Sequence, residues 1–600
     1  MAGKFFITTA IDYTNGAPHI GHAYEKVLAD VLARYHRLKG DEVFYLTGVD
    51  QHGQKVQQSA EKAGIAPQEF VDGVTGKFVA LWKKLGVEYT GWAATTDAVH
   101  KECVRANLQM LWDDKVPGTD RSRWLYKKKQ RGFYSVRQEQ FLTDKERGPD
   151  GEFGPEWQPV EEREEENFYF RLTAHDDLGF DPKQWLLDLI DARHPRAESG
   201  DRKAESSAAG EAREDHLSAL RSPLSGSAPL VIPDFRAEEL RNAVKKLEGD
   251  LCISRPASRL KWGIPFPESF GAGFVTYVWF DALVNYITYA PGHDPHFRER
   301  GAGEKTEFAA WWPPLHVIGK DILIPAHGVY WPIMLKALGF SDAEMPALLV
   351  HGWWNIAGAK MSKSIGNIVD PDALADKYGA EAVRYYLMSD IATGRDADFS
   401  EERLVQKYNV DLANSLGNLL NRTLSMAAKY REGILKTDIE FSKHLDVFMR
   451  KEQLPSTPSE TLERPEFLPI LDHVAVVINS IGSFPREFED CATQSALGLT
   501  INIATSCNTL VDRTAPWKLA KQASDAQTLD TVLHTLAESL RIIAILISPV
   551  LPKAAAGIFA QLNWTGPMTL EAAKWGGLPD GHQLGKPIPL FPRIEAAEKA

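Results

Sequence analysis

Pro18-His19-Ile20-Gly21-His22 stands between an aromatic, β-branched run at 4–10 and an amphipathic stretch at 23–35, and that setting decides the fold. The first run has strand character, whereas 23–35 puts Val27, Leu28, Val31, Leu32 and Tyr35 on one helical face; strand character returns at 42–47. The three pieces form a βαβ unit. Its strand-to-helix turn is where open parallel sheets bind ligands and where helix N–H groups point at anions. His19 and His22 share one side of the first helical turn, and Gly21 lets a nucleotide approach the backbone closely. Both rings could then donate to oxygens of one triphosphate. Taken alone, the pair also fits capping or surface histidines; helical zinc pairs are more often four apart with a glutamate between.

The same alternation returns late in the chain, where candidate strands at 316–319 and 348–352 flank an apolar helix at 329–338. A parallel sheet is therefore divided by an insertion. Between 114 and 254 the texture changes to Trp124-Leu125-Tyr126-Lys127-Lys128-Lys129 and the acidic Glu161-Glu162-Arg163-Glu164-Glu165-Glu166. Inside it, 198–230 is rich in Ser, Ala, Gly and charge, as a solvated loop or disordered segment is. From 408 onward the apolar spacing is helical, at Val410, Leu412, Leu416, Leu419 and Leu420 and again over 533–546, which predicts a C-terminal bundle. The proline-bounded stretch 455–465 interrupts it as a surface loop. No internal repeat of fixed period is present.

A chain of 600 residues exceeds the roughly 250–300 at which single cores stop growing, so several domains are expected. Cys103, Cys252, Cys491 and Cys507 show no C-x-x-C spacing, which argues against a disulfide framework and a cysteine-ligated zinc knuckle and fits a reducing compartment. The amino terminus lacks a basic region followed by an apolar one, and the most apolar run, 542–547, is stopped by Pro549. A cytoplasmic protein that neither enters nor crosses a membrane is expected. The net charge of −13 requires any RNA contact to use local basic patches.

Gly358-Ala359-Lys360-Met361-Ser362-Lys363-Ser364-Ile365-Gly366-Asn367 combines two ammonium groups, hydroxyls and flanking glycines, which suits a mobile loop closing over polyphosphate as well as it suits a solvated basic loop. The Lys360–Ser364 pentapeptide is roughly a one-in-thousands chance event at ~5% per residue type. The two motifs, in this order around an insertion, resemble the HIGH and KMSKS signatures of class I aminoacyl-tRNA synthetases. The fold so implied is α/β: a split Rossmann-like nucleotide-binding domain with a connective insertion, then a C-terminal α-helical anticodon-binding bundle. The expected divisions are 1–113 and 255–350 for the catalytic halves, 114–254 for the insertion, 351–405 for the KMSKS loop and stem-contact region, 406–575 for the bundle and 576–600 for a tail.

Thr8-Thr9-Ala10-Ile11-Asp12-Tyr13 and Thr276-Tyr277-Val278-Trp279-Phe280-Asp281-Ala282-Leu283-Val284-Asn285-Tyr286 resemble the segments that line the amino-acid pocket of methionyl-tRNA synthetases. By that resemblance Ala10, Ile11, Tyr13, Trp279, Ala282, Leu283, Tyr286 and His327 enclose the thioether, and Asp50 binds the ammonium. Without it, Trp279 and Tyr286 are ordinary core aromatics. The resemblance further implies that ATP, accompanied by Mg²⁺, is held by His19, Gly21, His22, Lys360, Ser362 and Lys363, with His19, His22, Lys360 and Lys363 catalytic. Arg255 and Asp321 fall at further active-site positions, and Asn418, Arg422, Asn508 and Trp517 resemble anticodon-reading residues. For Pro516-Trp517 the alternative is a helix start with a buried tryptophan.

Two departures from the family pattern stand out. The stretch 319–327 is one residue longer than the commonest form, which bears on His327 and Ile322. There is also no cysteine between Cys103 and Cys252 for the insertion's zinc knuckle, so no zinc is expected. The implied activity is ATP-dependent activation of methionine and its transfer to methionine-accepting tRNA, initiator and elongator, by a monomer. Alternatives are a catalytically silent tRNA-binding paralogue, a class I synthetase for another apolar amino acid such as leucine, isoleucine or valine, a cysteinyl enzyme, or a nucleotidyl transferase.

Overall fold

The computed structural model describes residues 3–135, 140–142, 144–175, 179–195, 228–293, 306–356, 358–361, 368–438, 441–443, 445 and 465–595. Most of 198–230 and of 455–465 lies outside them, as do Ser362 and Lys363.

Seven strands make one parallel sheet: β1 (Lys4–Thr9), β2 (Asp12–Tyr13), β3 (Glu42–Asp50), β4 (Gly91–Ala94), β5 (Val231–Ile232), β6 (Leu315–Gly319) and β7 (Ala347–His351). Their order is β2-β3-β1-β6-β7-β5, with β4 beside β3. The expected strands at 316–319 and 348–352 are β6 and β7 within a residue. Because β1 pairs with β3 on one side and with β6 on the other, the order reverses at β1. A crevice opens at such a switch point, outside the carboxyl ends of the strands.

Helix α1 (Ile20–Lys39) follows β1 and β2, and ends at Gly40, whose φ of 100° frees its N–H to cap Arg37 and His36. Within the predicted insertion, Leu125–Ser135 and Val160–Phe170 form an antiparallel ribbon that sets Lys129 opposite Glu166 and Arg131 opposite Glu164. Lys127 reaches Glu166 at 2.7 Å. The aromatic-charged texture is thus the central ladder of a four-stranded antiparallel sheet, with opposite charges facing across it. The same segment also returns β5 to the edge of the main sheet, against Leu348 and Leu349.

The C-terminal region is helical: Asn418–Arg431, Leu468–Glu489, Thr493–Thr514, Ala526–Ile547 and Pro552–Leu562. Ala526–Ile547 is buried nearly all round, its paired Glu538 and Arg541 included, and forms the centre of the bundle. Leu468–Glu489 is long and apolar enough to cross a membrane, and its Ile470, Val474, Val477 and Phe484 are buried among the other helices. Val410, expected on the apolar stripe, is 52% exposed. Two residues before Leu412 and six before Leu416, Val410 falls on the opposite face of Tyr408–Gly417 from the buried pair.

Arg384 joins catalytic core and bundle. Its buried guanidinium reaches Asp30 on α1 at 2.7 Å and donates to the carbonyls of Leu85, Pro549 and Val550. Removing one member of a buried charge pair costs about 3–5 kcal/mol. Arg384→Met is therefore expected to split the calorimetric unfolding of the protein into two transitions, the bundle melting first. A single transition at the parent temperature would place the interface energy elsewhere.

Candidate active site

His19 caps α1. Its extended backbone (φ −136°, ψ 176°) lets its own Nδ1 accept the Gly21 N–H at 3.1 Å, while His22 Nδ1 accepts the His19 N–H at 3.1 Å. A ring nitrogen that accepts leaves the proton on the other, so both imidazoles carry it on Nε2, as donors. The ring centroids are 3.8 Å apart. A Cβ on Gly21 would come within 2.9 Å of His19 Cε1, which is why glycine is needed between them. Capping and ligand binding are therefore not rival roles here, because the cap selects the tautomer that can donate to an anion.

These two rings border a cleft of about 540 Å³. All nine residues expected to hold the amino acid, Ala10, Ile11, Tyr13, Asp50, Trp279, Ala282, Leu283, Tyr286 and His327, line it, together with Gly21, Asp321 and Ile322. Helix α2 (Val278–Thr288) supplies Trp279, Ala282, Leu283 and Tyr286, a spacing that puts them on one face. Buried His327 sits with Nδ1 3.1 Å from the Ile322 carbonyl and Nε2 2.8 Å from the Tyr286 hydroxyl. A carbonyl can only accept, so Nδ1 holds the proton and Tyr286 donates to Nε2. Burial lowers the His327 pKa to about 4, so the ring is neutral and this wall of the cleft carries no charge. Leu323–Tyr330 is not one continuous helix: Ile324 (φ −116°, ψ 125°) is extended and breaks the winding ahead of Pro325, and beyond that kink His327 meets Tyr286.

At the opposite wall, the Asp50 carboxylate ends β3, and its Oδ1 lies 3.4 Å from both the His52 N–H and the Thr95 hydroxyl. His52 Nδ1 is 2.7 Å from Asp281 Oδ2, and His100 Nε2 is 2.8 Å from Asp281 Oδ1. Burial opposes the ionisation of Asp281, but the two histidines outweigh it and hold its pKa down to about 2. Asp281 thus fastens the loop after Asp50 to α2, a link that sequence spacing does not reveal.

Not every expected residue joins the cleft. Arg255 does not line it: its guanidinium lies 3.9 Å over the Tyr277 ring, which does. Lys360 is carried on a short strand, Ala359–Lys360, paired with Trp354–Ile356, and its neighbour Met361 reaches the cleft. On the bundle, Asn508 donates to Ser415 and Arg422 contacts Asp512 at 3.4 Å, so Arg422 and Asn508 stand on adjoining helices. Trp517, on the short helix Pro516–Leu519, is 41% exposed, against the buried alternative.

A profile described as tRNA synthetases class I (M) matches residues 5–151 and 230–424. The methionine–tRNA ligase of Caldanaerobacter subterraneus is 35% identical over all of this chain and 80% of its own length; that of Nostoc is 34% identical over 98% and 97%. The Mycobacterium tuberculosis methionyl-tRNA synthetase in complex with methionyl-adenylate superposes with a TM-score of 0.77 at 31% identity, covering 98% of this chain and all of that one. The chain belongs to the methionyl-tRNA synthetases of class I.

Within that family a cysteine-ligated zinc would need several thiolates in the insertion. This synthetase offers Cys252 alone there, and Cys103, Cys491 and Cys507 are separately buried elsewhere. The thiolates do not fit a zinc knuckle, and elemental analysis is expected to find less than one tenth of an equivalent of zinc. A stoichiometric signal would contradict this.

The sequence reading missed the charged floor of the cleft. Lys26, wholly buried, reaches Asp12 at 2.7 Å and Glu25 at 2.8 Å, and both carboxylates line the cleft. Burial, only partly offset by Lys26, lifts the Asp12 pKa to about 7. Charges on a helix ordinarily face solvent, and only the i, i+4 step from His22 to Lys26 hints otherwise.

Proposed function

We propose that this cleft joins methionine to ATP, with the amino acid between Asp50 and the Trp279–Tyr286–His327 wall and the triphosphate at the N-terminus of α1. The enzyme is a methionine–tRNA ligase. A methionine carboxylate oxygen attacks the α-phosphorus, the bond to the β-phosphate oxygen breaks, and pyrophosphate leaves; a terminal ribose hydroxyl of tRNA then displaces AMP from the adenylate.

The observation that carries the assignment is the meeting of the two histidines and the nine amino-acid residues in one cleft. The chemistry asks for positioning and for stabilisation of phosphate charge, with Mg²⁺ arriving on the nucleotide. His19 and His22 supply neutral donors, and Lys360 and Lys363 supply positive charge for the triphosphate. Asp50 takes the ammonium, while the neutral aromatic wall takes the polarizable thioether. Asp321, at the mouth, serves the nucleotide side. We assign tRNA recognition to the surface bearing Asn418, Arg422, Asn508 and Trp517, and a monomer in the cytoplasm as the working form.

Incubation with methionine and ATP, without tRNA, is expected to leave methionyl-adenylate bound to the protein, detected by native mass spectrometry. Its absence would refute the assignment. Trp517→Ala is expected to weaken charging of methionine tRNA by about 10-fold or more, as loss of a stacking aromatic does, and to leave adenylate formation at the parent rate. Equal loss in both steps would refute the anticodon role.

A further inference from the structure

The buried ammonium of Lys26 uses all three of its N–H groups: on the Ala10 carbonyl at 2.9 Å, on Asp12 Oδ1 at 2.7 Å and on Glu25 Oε1 at 2.8 Å. No donor is left for a phosphate, so Lys26 is not a nucleotide ligand. Its position is informative in another way. Lys26 lies one turn below His22 on the same face of α1, and Ala10 and Asp12 bracket Ile11 at the amino-acid end of the cleft. Glu25 extends the linkage through His351 Nε2, 3.1 Å away, at the end of β7, from which the chain runs on to Trp353, Trp354 and Met361.

We propose that Lys26 is a positioning residue of the activation step: by holding the Ala10 carbonyl and Asp12 to the helix that carries His19 and His22, it sets the distance between the amino-acid and phosphate ends of the cleft. The proposal rests on the assignment above of methionine and ATP to those two ends. A buried ion cluster is weak as a stabiliser, and among the described residues Asp12 Oδ2 has no hydrogen-bond partner, yet the bonds to Ala10 and Asp12 tie the segment between β1 and β2 to α1 while the third aligns Glu25 beside them. In-line attack needs the carboxylate about 3–3.5 Å from the α-phosphorus, and a displacement near 1 Å lowers such rates by about 10²-fold.

The test is Lys26→Met, assayed for adenylate formation in single turnover and normalised by active-site titration, with dissociation constants for methionine and ATP measured separately. The rate per active site is expected to fall by about 10–100-fold, with each substrate alone binding within about threefold of the parent. A merely structural role would lower the number of titratable sites and leave the rate per site unchanged, and that result overturns the proposal, as does a loss accounted for by weaker binding of one substrate. If Lys26→Met does not fold, Asp12→Ala and Asp12→Asn decide: the asparagine keeps an oxygen for Lys26, so its rate per site should exceed that of the alanine variant by at least about fivefold. Equal rates overturn the proposal. Should the unaltered protein form no adenylate with methionine, it is the functional assignment that fails.

Discussion

His22→Ala lowers the rate of adenylate formation by about 10²–10³-fold, the effect of removing one preorganised donor from a developing charge, while methionine binding stays close to the parent value. The reasoning starts from the cap. His22 Nδ1 is committed to the His19 N–H, so its Nε2 carries the proton that a phosphate oxygen can accept. The donor costs nothing to orient, because the helix terminus has already fixed the ring. Pyrophosphate exchange measured with saturating methionine isolates the step. Full activity in the variant would remove His22 from the chemistry. A large rise in the methionine dissociation constant would instead place the ring at the amino-acid end.

Asp50→Ala has the opposite signature. Truncating one partner of a buried charge pair costs 2–5 kcal/mol, so methionine should bind about 10²-fold more weakly or worse, and ATP within about twofold of the parent. Asp50 is itself buried, and its Oδ1 faces the His52 N–H and the Thr95 hydroxyl, which keeps the carboxylate aimed along the cleft. Titration of intrinsic fluorescence, to which Trp279 in the cleft wall contributes, reads the methionine constant directly. Unchanged methionine affinity would show that the ammonium is held elsewhere.

Much of the frame is written locally. The strand at 4–10, the helix behind His22 and the strands at 316–319 and 348–352 each depend on a few neighbouring residues, and each is present within a residue or a turn. The amino-acid wall was legible only through the family resemblance: Trp279, Ala282, Leu283 and Tyr286 follow one helical period, but periodicity alone reads them as core. What escaped depends on distant partners. The ribbon from 125 to 170 announces itself as alternating aromatic and charged residues, but only the long-range register sets Lys129 against Glu166. Val231 and Ile232 are too few to signal a strand, yet they close the sheet edge. Lys26, Glu25 and Asp12 look like solvent-facing charges until the packing of α1 over β2 buries them together. Arg384 hides in the same way, its partners being an aspartate on α1 and three carbonyls contributed by distant segments. The extended backbone at Ile324 breaks the helical path just ahead of His327, and Val410 is exposed because a residue two before Leu412 and six before Leu416 falls on the opposite face of the helix.

The most direct measurement is amino-acid-dependent exchange of pyrophosphate into ATP, without tRNA, across the twenty standard amino acids. Exchange driven by methionine alone is the predicted result, since the neutral aromatic wall and Asp50 suit a polarizable, uncharged side chain beside an ammonium. Exchange driven by another amino acid, or by none, would contradict the account.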